Sequence, residues 1–120
     1  MKTPAPHEYP NAHYFAEYLD FPADANLFEV YEAQTAEILH IYSGLSEQDG
    51  NYAYAAGKWS LKQTLGHMID TERIMTFRAL CFARGEKQSL PGFDENEYVQ
   101  SADFSKIALE DLLEDFEAQR

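Results

Sequence analysis

The stretch that most limits the fold runs from Gly57 to Gly85. Between these two glycines lie 27 residues without a proline, and the stretch of about 24 from Ser60 onward is enough for roughly 36 Å of α-helix at 1.5 Å per residue. It opens on Ser60-Leu61-Lys62-Gln63, a capping box: the serine hydroxyl takes a first-turn N–H while the glutamine side chain reaches back. Leu61, Leu65, Met68, Met75, Ala79 and Phe82 recur at intervals of three and four and form one apolar stripe. Ile69, Ile74, Phe77 and Leu80 fall off that stripe. A helix apolar on more than one side is expected to be covered on several sides, as the central member of a bundle.

Two polar residues within it draw attention. Glu72 falls on the stripe, and a carboxylate there needs a cation, because an unpaired buried charge costs several kcal/mol. A structural ion pair with Arg or Lys from a neighbouring segment is the expectation. His67 lies on another side, shared with Thr71, Ile74 and Arg78.

Two more helices flank the long one. Asp24 is a suitable N-cap for a helix carrying Leu27, Phe28, Tyr31, Ile38, Leu39 and Tyr42 and ending at Gly44. Gln34 falls on its apolar face, where an amide suits a neighbour or a ligand, whereas His40 points to the polar side. Asp103 or Ser105 can cap a helix with Ile107, Leu109, Leu112, Leu113 and Phe116 on one face. That helix reaches Arg120 with no stop signal, and Glu114, Asp115 and Glu117 near its end oppose the helix dipole. Residues 46–54 read as a connection with a turn at Asp49-Gly50, in which Tyr52 and Tyr54 lead into Trp59. Trp59 occupies the staple position, suited to packing on Thr64 or Leu65. Residues 86–98 form a longer loop whose acids Asp94, Glu95 and Glu97 read as solvent-facing or as caps rather than as a calcium loop. Residues 1–23, with three prolines before residue 11 and many aromatics, form an N-terminal extension packing on a helical domain at 24–120.

Charge and cysteine content exclude several classes. A net charge of −12 argues against binding nucleic acid through its phosphates. No run of apolar residues is long enough to span a membrane, and the start of the chain holds no signal-type apolar segment. One cysteine, Cys81, excludes an intramolecular disulfide and fits a reducing, cytoplasmic setting, where it reads as a small packing residue. His7 and His13, six apart, share no face that would bring them onto one metal ion.

Taken together, Gly57-Lys58-Trp59-Ser60, Gly66-His67, Asp70-Thr71-Glu72-Arg73, Arg78, Ala83-Arg84-Gly85 and Leu90-Pro91-Gly92-Phe93-Asp94-Glu95-Asn96 resemble the DinB-like superfamily, and within it the bacillithiol-transferase-like branch. The resemblance covers most of the chain from about residue 24. It implies an all-α, up-down four-helix-bundle type of fold, usually a homodimer, with a divalent metal (zinc or nickel) held by three histidines in a cleft. His67 stands where that family has the ligand of its second helix, with Glu72, Arg78 and Gln34 as candidates to line or brace the cleft. The activity implied is that of a metal-dependent S-transferase acting with a small thiol, or a hydrolase. The metal's part would be to lower the pKa of a bound thiol or water.

The family's other two ligands form a His-x-x-x-His pair on the fourth helix, and this sequence has no such pair. Only about three helices are expected within these residues. The expectation is therefore of an incomplete metal site, in a fragment or in a short form whose bundle another chain completes. The other function class consistent with this is a non-catalytic helical interaction or dimerisation module without metal, whose uncovered apolar faces meet a partner.

Overall fold

The computed structural model describes residues 25–120 throughout, together with Pro4, Ala5, His7, Glu8, His13 and Ala16. The expected cap at Asp24 and most of the extension at 1–23 lie outside the described residues. The described residues form five α-helices and one short 3-10 turn: α1 (Leu27–Ser43), α2 (Glu47–Gly50), α3 (Leu61–Ala83), α4 (Glu95–Ala102), the 3-10 turn (Phe104–Lys106) and α5 (Leu109–Gln119). The all-α class holds, and α1, α3 and α5 are the three long helices expected. Helix α2 lies within the connection read at 46–54, whereas α4 starts inside the loop read at 86–98 and runs beyond it to Ala102. No helix among the described residues is long and apolar enough to cross a membrane.

The chain divides into two compact units, Met1–Ile38 and Leu39–Arg120. In the first, α1 starts where the Asn26 side chain accepts the Phe28 N–H at 3.2 Å and donates to Glu29 at 3.1 Å. Gln34 is exposed on this helix.

In the second unit α3 is the organising element. Ser60 and Gln63 form the expected capping box, the Gln63 N–H on the Ser60 hydroxyl at 3.2 Å and the Ser60 N–H on the Gln63 amide oxygen at 2.9 Å. Gly57 and Gly85, which bracket the helix, both adopt positive φ, at 74° and 75°. The helix packs against α2, α4, the 3-10 turn and α5. Its buried face is Lys62, Leu65, Gly66 and Ile69, set against Val99, Phe104, Leu109, Leu112 and Phe116.

This corrects the expected stripe. Ile69, off the stripe, is fully buried, whereas Met75, Ala79 and Phe82, on it, are exposed. The buried residues of α3 all fall within its first three turns, so the expected burial on several sides is found there and not along the second half. Apolar periodicity marks which faces could be buried, and the partners decide how far along the helix burial extends.

Helix α5 runs in the same direction as α3. Its start lies at Lys62, whose ammonium donates to the Ile107 carbonyl at 2.7 Å, and farther along Arg73 donates to Asp115 at 2.6 and 2.8 Å. The intervening segment, including α4, therefore returns the chain along α3, in place of the direct reversal of an up-down order. Asp94 caps α4, accepting the N–H groups of Asn96 and Glu97 at 2.9 and 3.0 Å.

The expected cap of α5 also needs correction. Asp103 instead ends α4 in the left-handed conformation, φ 49°, and holds Ser105 and Lys106. Helix α5 begins at Leu109 with no side-chain cap from its own N-cap residue. Its first N–H is taken by the Glu47 carboxylate, 62 positions earlier, at 2.6 Å. The same carboxylate pairs with the Lys62 ammonium. Glu47, Lys62, Ile107 and Leu109 thus tie α2, α3 and α5 together at one end.

Candidate functional site: His67 and the Trp59 cavity

His67 lies nearly two turns into α3 and is half-buried. The positive φ of Gly57 turns the chain so that Trp59, immediately before the capping box, folds back along the helix. Its ring meets the His67 imidazole, centroids 4.9 Å apart and planes tilted by 50°. Trp59 therefore packs on His67, a contact the staple position alone did not foretell, and it lines one cavity together with Thr64.

Trp59 also forms one wall of a cavity of about 420 Å³, with Tyr52, Tyr54, Lys58, Thr64 and Asn96. The tyrosines are largely exposed, so the cavity is an open aromatic cup. His67 adjoins it through Trp59. The Thr71 hydroxyl stands 3.5 Å from His67 Nε2, one turn along the helix.

Asp70 completes this neighbourhood. Burial pushes its carboxyl above the ordinary aspartate value; Arg73 and His67 draw it down, and Asp115 pushes it up. An Arg73 nitrogen lies 3.9 Å from the Asp70 carboxylate, although the better geometry of Arg73 is with Asp115. Sequence reasoning passed over Asp70 as a site residue. The available signal was its position three residues after His67, which places both on adjoining sides of one helix.

Glu72 and Arg78, the other candidates on α3, have partners of their own. Glu72 is half-buried and pairs with Arg120 at 3.5 Å, the ion pair expected for it, with the cation supplied by the segment just after α5. Arg78 lies three turns beyond His67 and donates to the Pro91 carbonyl at 2.8 Å. His40 is exposed, as expected. His7, His13 and Gln34 belong to the first unit, and all three are exposed.

Whether this neighbourhood suits a divalent metal is decided by its donors. A zinc-type catalytic site takes about three protein ligands and an open position. Among the described residues no group of three or more His, Cys, Asp or Glu side chains converges in a way that could hold an ion. The groups in contact with the His67 ring are a hydroxyl and an indole, poor ligands for zinc or nickel, and Asp70 adds at most one carboxylate nearby. The donor set present here does not by itself fit the three-histidine centre that the resemblance implies.

Comparison with known proteins places the geometry in context. No curated protein and no solved structure matches the chain significantly. A family model does match, over residues 31–120, which span α1 from Tyr31 and all of the second unit. With three quarters of its length so matched and its described residues all helical or connecting, the chain belongs to the DinB superfamily.

Proposed function

We propose that the protein works as a DinB-type metal-dependent enzyme of the bacillithiol-transferase-like branch. In this reading it is a small-thiol S-transferase or hydrolase, and His67 contributes one imidazole to a zinc or nickel site. The remaining donors come from outside the residues described here. The observation that supports this reading is His67 itself: a half-buried imidazole, held by Trp59 beside an open cup. Membership of the superfamily supplies the rest of the support.

Nickel or zinc titrated into the protein while its histidine ring signals are followed by NMR tests the proposal. Of the four imidazoles, that of His67 is expected to respond first, and His67→Ala should remove the response. The same substitution should cost only about 1 kcal/mol of stability, since it trims a half-buried side chain. A titration in which His67 does not respond, or in which His67→Ala leaves binding unchanged, refutes the assignment.

One observation favours a second reading, a helical interaction module that dimerises. Phe77, Leu80 and Phe82 on the second half of α3 are all more than half exposed. Under that reading sedimentation shows a metal-independent dimer that Phe82→Glu weakens, and metal titration leaves His67 unmoved.

A further inference from the structure

Beyond Ala83 the chain turns at Gly85 and comes back along α3, placing Leu90, Pro91 and Phe93 against the helix's second half. Between them lies a cavity of about 260 Å³ with walls of Ile74, Phe77, Leu90, Phe93 and Tyr98. The Phe93 and Tyr98 rings meet at 5.3 Å, so one side is a continuous aromatic surface. Two arginines reach this cavity, and they differ in one respect. Arg73 is held by Asp115 in a two-pronged pair, so its charge is already met.

Arg78 is half-buried, with its guanidinium carbon 5.9 Å from the centre of the Phe93 ring. It donates to the Pro91 carbonyl at 2.8 Å and lies 3.9 Å from the Met75 sulfur. These contacts fix its position and leave further N–H groups of its five. No carboxylate among the described residues stands within ion-pair distance of it, in a chain with 21 acidic side chains against nine basic ones. A fixed cation on an apolar wall, without a counter-charge, suits an anion that brings its own apolar body.

We propose that this cavity is a binding site for a small monocarboxylate with an acyl or aryl tail, its carboxylate on Arg78 and its tail between Phe77, Leu90 and Tyr98. The volume lies just below the range usual for small-molecule pockets, which limits the tail to a single ring or a short chain. One unmatched guanidinium within a net charge of −12 favours a single negative charge over a phosphate or nucleotide, which the acidic surface repels more strongly.

Phenylpropionate titrated into the full chain, with backbone amides followed by NMR, tests this, and its neutral amide serves as the comparison ligand. The expected result is saturable movement of the Ile74, Phe93 and Tyr98 amides, with the acid bound about tenfold or more tightly than the amide, the worth of one charge-assisted pair. Arg78→Gln should abolish that preference and Arg78→Lys should keep part of it. The comparison of acid with amide uses the unaltered protein, so it stands even if an Arg78 variant loosens the Pro91 segment. Equal binding of the two ligands, movement at Trp59 and Lys58 in place of Phe93 and Tyr98, or no saturable movement would each overturn the proposal.

Discussion

Gly66→Ala is expected to destabilise the protein by about 2 kcal/mol, although alanine is the better helix former. Helix propensity alone favours the substitution by about 1 kcal/mol. Packing opposes it more strongly. A Cβ at position 66 would stand 2.3 Å from Cε1 and 2.4 Å from Cζ of Phe104, a ring that is only 5% exposed. That ring cannot swing outward without leaving the core, so the overlap must be relieved by moving the 3-10 turn away from α3. Overpacking of this kind costs about 1–3 kcal/mol, and a displaced turn adds to it. Denaturant unfolding of Gly66→Ala, Phe104→Leu and the double variant checks the account. Phe104→Leu alone should be harmful, yet it should be much less harmful, or even helpful, when Gly66→Ala is already present. Independent effects that simply add would show that the ring and the glycine are not in contact.

Lys62→Met should cost about 1–3 kcal/mol while keeping most of the apolar stem in place. Lys62 is 1% exposed, yet its ammonium reaches Glu47 and the Ile107 carbonyl. Methionine fills similar space but leaves that carbonyl without its donor. Lys62→Ala adds a cavity beneath Gly50 and should be worse, by about 2–4 kcal/mol in all.

The pair also has a pH signature. Hydrogen bonding from Lys62, then from the Leu109 N–H, holds the Glu47 carboxyl below the ordinary glutamate value. A depressed carboxyl binds fewer protons when folded than when unfolded, so its stabilisation is complete above the ordinary glutamate range. It is lost as pH falls through the lowered value. Unfolding followed from neutral to acidic pH should therefore show a smaller acid loss in Lys62→Met than in the unaltered protein. An identical acid dependence in the two would remove Glu47 and Lys62 as a coupled unit.

Local chemistry in the sequence was legible, and long-range supply was not. The capping box at Ser60 and Gln63, the glycines that bracket α3 and the need of Glu72 for a cation all follow from residues close together or from one charge on one face. The start of α5 could not be read in this way. Asp103 and Ser105 look like caps because capping propensity is local, whereas the carboxylate that meets Leu109 belongs to Glu47, far away in sequence. Lys62 was missed for a related reason. A lysine next to a capping box reads as solvent-facing, and only the arrival of Ile107 and Glu47 makes its burial tolerable. At the site, the position of His67 off the apolar stripe, on the side of Thr71, was visible, but its contact with Trp59 depends on the turn at Gly57. Arg78 was a candidate through the family resemblance alone; that no carboxylate among the described residues meets it depends on where Pro91 and Phe93 return.

The clasp between Glu47 and the first amide of α5 has a kinetic consequence. A ribosome releases Glu47 long before Leu109, so the helix end that this glutamate completes is among the last parts to settle. Its closure requires α2, α3 and α5 to be assembled together, and opening any one of them releases it. The Leu109 amide should therefore exchange its hydrogen with solvent only when the whole second unit opens, as slowly as the Leu65 amide in the middle of the core. A single proton at the start of α5 would then report on the cooperativity of the second unit.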